Sequence, residues 1–193
     1  MNPNNYPFLP SSLVAFTGLK GSGKDTAAKI LIEKGFVPVQ FAAYLKNMIM
    51  SLIVSQGGTI EEAHELTNGS NTSKETPSVY FNNRTARHAM QTLGTEWGRN
   101  FLGEDFWVNC VRTKLLAHTG QKFVLTDMRF KNELDMVKAL GGTTCRIERM
   151  DHTKYDSHSS ETEILTLPVD FVIRNDHTLE RFQNDVAAIF HTY

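Results

Sequence analysis

The sequence has few cysteines and no long apolar run. Its two cysteines, Cys110 and Cys145, lie far apart in the 193-residue chain and form no C-x-x-C pair. This argues against a disulfide framework or a zinc site, and we expect both to be small buried hydrophobic side chains. No apolar stretch approaches the ~20 residues of a membrane span, and residues 1–12 lack a signal-peptide pattern. The sequence therefore predicts a cytoplasmic protein with no membrane partner.

The sequence also has no excess of positive or negative charge. Twenty basic and 21 acidic residues leave a net charge of -1, which argues against a protein that coats nucleic acid. We expect no direct nucleic-acid binding, although a few local arginines could hold a small anionic ligand. A composition of 40% hydrophobic and 21% charged residues is typical of a globular protein. The length corresponds to a single domain.

Apolar strands alternate with helical patterns along most of the chain. This order predicts an α/β fold of three layers, in which helices cover both faces of a mostly parallel five-stranded central sheet. The predicted strands cover residues 13–17, 36–41, 122–126, 143–147 and 169–173. We expect residues 1–12 to form a flexible arm, Thr67–Ser73 a mobile surface loop, and the polar segment 148–166 a lid.

Residues 18–24 match the phosphate-loop pattern G-x-x-x-x-G-K between a strand and a helix. Glycines let the backbone N–H groups point at phosphate oxygens, and the helix N-terminus adds partial positive charge. Lys24 would reach the β- and γ-phosphates of ATP, whereas the alternative is a tight turn without a ligand. The predicted ATP-binding residues of this segment are Gly18, Lys20, Gly21, Ser22, Gly23, Lys24, Asp25 and Thr26.

The residue after Lys24 departs from the usual pattern. Ser or Thr commonly follows this lysine and helps to hold Mg²⁺, but here the order is Lys24, Asp25, Thr26. Asp25 places a negative charge beside the predicted polyphosphate. It could hold Mg²⁺ through water, position the incoming substrate, or only stabilise the start of the helix. Thr26 remains available to the α-phosphate or the metal.

Two further groups of residues suit phosphate chemistry. The apolar strand at 123–126 ends in Asp127, a predicted metal- or phosphate-positioning carboxylate, and Arg129 follows it. Guanidinium groups favour bidentate phosphate capture, although a solvated basic face is the alternative. Arginines are concentrated near Gln91 and Trp97, and one more enters the predicted lid. These are Arg84, Arg87 and Arg99, with Arg149 at the lid; Arg84 and Arg87 would share a face if their segment were helical.

Several longer segments resemble one family. They are FTGLKGSGKDT, FAAYLK, NRTARHAMQTLGTEWGR, LTDMRFKNE, SHSSE and VDFVIRN, which occur in this order over about five sixths of the chain. In them the chain resembles phage-type deoxynucleoside monophosphate kinases, a part of the P-loop nucleoside monophosphate kinase group. The GTEW and DxRFxNE patterns are not general features of phosphate-loop proteins. The resemblance would place a phage-encoded protein in the host cytoplasm.

The resemblance implies transfer of the ATP γ-phosphoryl group to a deoxynucleoside 5′-monophosphate, with Mg²⁺. It implies that Lys24, Asp25, Arg129 and Arg149 are catalytic, that Asn175 joins the ATP site, and that Thr26 and Asp127 hold the metal, directly or through water. It implies a helical acceptor-nucleotide region at 42–120. The implied acceptor residues are Lys46, Arg84, Arg87, Gln91, Trp97, Arg99, Asp127 and Glu161.

Three alternatives remain open at this point. The first is another small-molecule P-loop kinase, of the dephospho-coenzyme A or phosphomevalonate type. The second is a nucleotide-binding regulatory module, although the Asn-Lys-x-Asp tetrapeptide of a GTPase does not occur. The third is a polynucleotide kinase or packaging motor, which the sequence does not support with a basic stripe. The sequence leaves a homodimer open and does not identify the preferred deoxynucleotide.

Overall fold

The computed structural model describes residues 12–149 and 159–191. The chain divides into two compact units. The first, here called the sheet unit, comprises Met1–Phe41 and Val111–Tyr193; the second, the helical unit, comprises Ala42–Cys110. Residues 1–11 of the predicted arm and residues 150–158 of the predicted lid lie outside the described residues. No helix in the described ranges is both long and apolar enough to cross a bilayer.

Strands and helices alternate along much of the chain. The strands are β1 (Ser12–Thr17), β2 (Phe36–Val39), β3 (Pro77–Ser78), β4 (Arg84–Thr85), β5 (Lys122–Leu125), β6 (Thr143–Glu148) and β7 (Phe171–Arg174). The helices are α1 (Lys24–Glu33), α2 (Ala43–Ser55), α3 (Ile60–Asn68), α4 (Asn71–Glu75), α5 (Ala86–Thr92), α6 (Phe106–Ala117), α7 (Lys131–Ala139), α8 (Ser159–Thr166) and α9 (Leu179–Ile189). A turn of 3₁₀-helix covers Val79–Phe81, and a π-helix covers Leu93–Leu102.

The sheet unit contains a five-stranded sheet in the order β2-β5-β1-β6-β7. All four strand pairs are parallel, which confirms the predicted sheet. Residues 13–17 of the central strand β1 are all buried, as a strand covered on both faces requires. Pro38 lies in the edge strand β2, where a missing backbone N–H is tolerated.

Helices cover both faces of this sheet. On one face, α1 and α9 contribute to a buried core with Val14, Phe16, Leu31, Phe182 and Val186. On the other face, α7 packs against β1, since Val137 and Leu13 both lie close to the position that a Cβ of Gly142 would occupy. This arrangement confirms the three layers. Cys145 belongs to the buried core, and burial raises its pKa to about 12; Cys110 is half-buried.

The helical unit packs around a small core of Ile49, Ile53 and Ala63, contributed by α2 and α3. Its strands β3 and β4 form a two-residue antiparallel ribbon. The register pairs Ser78 with Arg84. The sequence patterns did not predict this ribbon or the π-helix.

The loop predicted for Thr67–Ser73 is wrong. Helix α3 continues to Asn68, and α4 begins at Asn71. Thr67 is fully buried, and its hydroxyl donates to the carbonyl of Ala63 at 2.8 Å. Of the small polar residues that indicated a loop, Ser70 is the N-cap of α4, where its hydroxyl accepts from the backbone N–H of Ser73 at 3.0 Å. Part of the predicted lid is also helical, since Ser159–Thr166 forms α8.

Candidate nucleotide-binding site

The turn between β1 and α1 has a backbone that only glycine adopts readily. Gly18, Gly21 and Gly23 have φ angles of 140°, 75° and 111°. A Cβ on Gly18 would lie 2.3 Å from the carbonyl oxygen of Ile147, and one on Gly23 would lie 2.5 Å from the amide nitrogen of Asn175. The loop is therefore folded tightly against the ends of β6 and β7.

Two polar side chains of the loop face inward. The amine of Lys24 donates to the carbonyl oxygens of Gly18 and Leu19, both at 2.7 Å. The hydroxyl of Ser22 is buried and has no hydrogen-bond partner in the part of the chain that the structure describes. The same holds for the hydroxyl of Thr17, at the end of β1. A buried hydroxyl without a partner costs about 1–3 kcal/mol, so this arrangement favours a ligand that accepts a hydrogen bond.

Asn175, which follows β7, holds the loop through a hydrogen bond. Its side-chain amide donates to the carbonyl of Ser22 at 2.8 Å, and its backbone N–H donates to the carbonyl of Glu148 at 2.7 Å. The structure thus places Asn175 against the phosphate loop, although 153 residues separate it from Ser22. Direct contact between Asn175 and ATP stays a prediction.

A cavity of about 260 Å³ lies beside this loop. It is lined by Leu19, Ser22, Ile147, Glu148, Arg149, Leu165, Arg174 and Asp176. Arg149, predicted from the sequence, is exposed here after the end of β6. Arg174 was missed, although its place at the carboxyl end of a parallel strand, where ligands bind in such sheets, is a signal that could have found it.

Asp127 and Arg129 follow β5 at the same edge of the sheet. A carboxylate oxygen of Asp127 accepts from the backbone N–H of Phe41 at 2.9 Å. The side chain of Arg129 is exposed. In the first turn of α1, Asp25 is exposed and Thr26 is half-buried. Among the described residues, no group of three or more His, Cys, Asp or Glu side chains is arranged to hold a metal ion.

The predicted acceptor residues of the helical unit lie on α2, β4, α5 and the π-helix. Arg87 pairs with the carboxylate of Glu75, and its guanidinium also donates to the side-chain oxygen of Asn71 at 3.2 Å. Arg84 lies in β4 rather than in α5, so the two arginines share no helical face. The sequence analysis did not identify Glu75 or Asn71, and Asn71 lies in the segment that it predicted to be a loop.

The other predicted acceptor residues are spread over several elements. Lys46 is half-buried in α2, Gln91 is exposed in α5, and Arg99 is half-buried in the π-helix. Trp97 is 37% exposed, and its ring meets that of Phe106 edge to face at 5.5 Å. The side chain of Glu161 lies outside the described part of the structure.

The family of the chain follows from comparison with known proteins. A family model described as deoxynucleotide monophosphate kinase matches residues 59–186, which is more than half of the chain. The chain belongs to the deoxynucleotide monophosphate kinase family. It is therefore a nucleoside-phosphate kinase, and this decides against the regulatory module and the other small-molecule kinases.

Two proteins similar to this chain come from viruses. The chain is 30% identical over 192 residues to an Acanthamoeba polyphaga mimivirus protein whose name assigns it to the same family, and the match covers 91% of this kinase and 94% of the relative. The deoxynucleotide monophosphate kinase of Escherichia phage RB69 is 29% identical over 106 residues, covering 53% of this chain and 43% of that protein. A solved structure, TT1252 from Thermus thermophilus, matches with a TM-score of 0.50 at 17% identity, covering 95% of this chain and 98% of that one. At that identity the likeness shows the fold alone.

Proposed function

We propose that this kinase transfers the γ-phosphoryl group of ATP to a deoxynucleoside 5′-monophosphate, releasing ADP and the deoxynucleoside diphosphate. The phosphate loop carries the proposal, because its glycine geometry and inward polar groups suit a polyphosphate. We further propose that the enzyme acts on free nucleotides in the cytoplasm, apart from nucleic acid and membranes.

The loop of residues 18–24 fits the phosphates of ATP. Lys24 now donates to two neutral carbonyl oxygens, and an anionic phosphate oxygen is a stronger acceptor than a carbonyl. The buried hydroxyl of Ser22 would gain a partner inside the loop. The adjacent cavity, with Arg149 and Arg174 at its lining, would take the rest of the nucleotide.

The residues near the loop also fit Mg²⁺. This ion usually takes one or two protein carboxylates or hydroxyls and several phosphate or water oxygens, rather than a protein cage. Thr26 and Asp127 would hold it directly or through water, and Asp25 would approach it through water. When bound, the ion neutralises phosphate charge during transfer.

The transfer needs no strong base, because the acceptor phosphate is already anionic at neutral pH. Positioning and charge neutralisation supply the rate enhancement. Lys24, Arg129 and Arg149 are the cations that we assign to the transferring phosphoryl group. Arg129 and Arg149 follow β5 and β6, the two neighbours of β1 in the sheet, and β1 leads into the loop.

In the helical unit, Arg87 is the residue that we assign first to the acceptor phosphate. Its guanidinium already binds a carboxylate, that of Glu75, and a phosphate presents the same oxygen geometry. The pair is exposed, with 36% and 54% of the two side chains accessible, and exposed pairs contribute only ~0–1 kcal/mol. A phosphate dianion can therefore replace Glu75. We assign Lys46, Arg84, Gln91, Trp97, Arg99 and Glu161 to the rest of the acceptor site.

Phosphoryl transfer from γ-labelled ATP tests the proposal. The full chain is incubated with Mg²⁺, labelled ATP and one of the common deoxynucleoside or ribonucleoside monophosphates at a time, and the products are separated. We expect label in at least one deoxynucleoside diphosphate. Release of labelled phosphate alone, or transfer only to dephospho-coenzyme A or phosphomevalonate, would overturn the proposal.

A further inference from the structure

Glu133 is a buried acidic residue in the first turn of α7. Only 3% of it is exposed. One carboxylate oxygen accepts from the backbone N–H of Arg129 at 2.7 Å and from that of Phe130 at 3.1 Å. Burial of a carboxylate is unfavourable unless hydrogen bonds compensate it, and these two bonds contribute to that compensation.

The same bonds fix the turn that connects β5 to α7. At one end of the turn, the Asp127 carboxylate accepts from the backbone of Phe41. In the middle, Met128 is 1% exposed. At the other end, Glu133 holds the N–H groups of Arg129 and Phe130. The backbone of Arg129 is therefore held from both sides, whereas its side chain is exposed.

This turn lies next to the phosphate loop. Strand β5 pairs in parallel with β1, with Leu125 opposite Ala15. Strand β5 ends at Leu125 and the turn reaches Asp127 two residues later, whereas the phosphate loop begins at Gly18, three residues after Ala15. Both therefore leave the sheet at the carboxyl ends of neighbouring parallel strands.

We propose that Glu133 is a positioning residue for phosphoryl transfer, whose carboxylate holds the backbone of Arg129 so that the guanidinium faces the transferring phosphate. This inference rests on the proposed function. The competing interpretation is that Glu133 only caps the N-terminus of α7, which would stabilise the helix and leave the action of Arg129 unchanged.

A double-mutant cycle separates the two interpretations. The variants are Glu133→Ala, Arg129→Met and the pair combined, assayed with the acceptor that the wild type phosphorylates. We expect Glu133→Ala to lower kcat about tenfold or more, with both KM values within about twofold of wild type. In the Arg129→Met background, Glu133→Ala should lower kcat less than about twofold, because the group it positions is already absent.

Three further variants separate a loss of positioning from a loss of folding. Glu133→Gln keeps an oxygen that can accept both backbone bonds, and we expect it to retain more than about half of the wild-type kcat. Glu133→Asp keeps the charge but is one methylene shorter, so its kcat should fall even if Glu133→Ala fails to fold. Asp135→Ala removes an exposed α7 carboxylate that pairs with Lys131 at 2.6 Å, and should leave kcat unchanged.

Two outcomes would overturn the inference. One is an equal loss of kcat from Glu133→Ala with and without the Arg129 guanidinium, and the other is a normal kcat in folded Glu133→Asp. A wild type that phosphorylates no deoxynucleoside monophosphate would instead overturn the proposed function. The cycle would then be run on whichever acceptor the wild type uses, so the two failures are distinguishable.

Discussion

The phosphate loop, residues 18–24, and the α3–α4 segment, residues 59–76, are both short and polar, but different forces hold them. In the loop, positive φ angles and a carbonyl oxygen 2.3 Å from the place that a Cβ on Gly18 would occupy exclude anything but glycine. In the segment, exposed side chains cap helix ends: Thr59 accepts from the N–H of Glu62 at 3.1 Å, and Ser70 from that of Ser73 at 3.0 Å.

This difference separates function from stability. The loop contains the buried hydroxyl of Ser22, which has no partner among the described residues, and Lys24, whose amine donates to two neutral carbonyl oxygens. Its polar groups are therefore arranged for a ligand. In the segment, the helix N-termini are capped by side chains of the segment itself. We therefore expect changes in the loop to abolish activity or distort the backbone, and changes in the segment to lower local stability by about 1 kcal/mol each.

The largest effect should come from Lys24→Ala. Loss of a charged contact to the transferring phosphate should lower kcat at saturating ATP about 100-fold or more, on the order of 3 kcal/mol, with the melting temperature nearly unchanged. Lys29→Ala, on the exposed surface of the same helix, is the control and should be as active as wild type. Near-normal turnover of Lys24→Ala would show that the loop does not act on phosphate.

Gly18→Ala tests the backbone constraint itself. The new Cβ would meet the Ile147 carbonyl at 2.3 Å, at a φ of +140°. We expect the free energy of unfolding in urea to fall by about 2 kcal/mol or more. In Gly141→Ala, where φ is +73° and nothing lies within 4 Å, only the intrinsic left-handed penalty of about 1 kcal/mol applies. Equal losses in the two variants would contradict the close contact.

Thr59→Ala tests the caps of the α3–α4 segment. Removing the side chain that accepts from Glu62 should lower stability by about 1 kcal/mol and speed hydrogen exchange in α3. Ser55→Ala removes a hydroxyl that donates only to the carbonyl of Leu52 at the end of α2, and should change neither. Unchanged exchange in Thr59→Ala would show that Thr59 does not cap α3.

The smallest effect concerns Glu65, in the same segment. Hydrogen bonds from the Ser73 hydroxyl and the Ser70 N–H hold the pKa of Glu65 below its ordinary 4.5. Because the folded pKa is lowered, this stabilisation is complete above pH 4.5 and is lost as pH falls through the folded pKa. An NMR titration should show the pKa rising toward 4.5 in Ser73→Ala. A pKa unmoved by that change would remove Ser73 as the main cause.

The sequence predicted the sheet unit more fully than the helical unit. Apolar strands, glycine punctuation and the loop pattern are local signals, and each corresponds to one backbone geometry. A lone capping residue such as Ser70 gives a weaker signal, since Ser, Thr, Asn and Asp also favour turns, and α4 was missed. Thr59 and Glu62 form a capping box whose T-x-x-E pattern is a sequence signal, but it was not recognised.

Contacts between residues far apart in the sequence could not be predicted from local patterns either. Asn175 was found only through a family resemblance, because its contact with Ser22 spans 153 residues. The pairing of Arg87 with Glu75 depends on how β3, β4 and α4 fold together. The π-helix at Leu93–Leu102 could not be predicted either, because the hydrophobic pattern used for helices has the 3.6-residue period of an α-helix.

We propose that the phosphates of ATP bind at the loop and that the acceptor phosphate binds at Arg87. Steady-state kinetics of Arg87→Met, with each substrate varied in turn, decide between this assignment and the opposite one, and Arg112→Met is the control. We predict that the KM for the acceptor monophosphate rises roughly tenfold or more while the KM for ATP stays within about twofold. A rise in the ATP KM alone would contradict the claim.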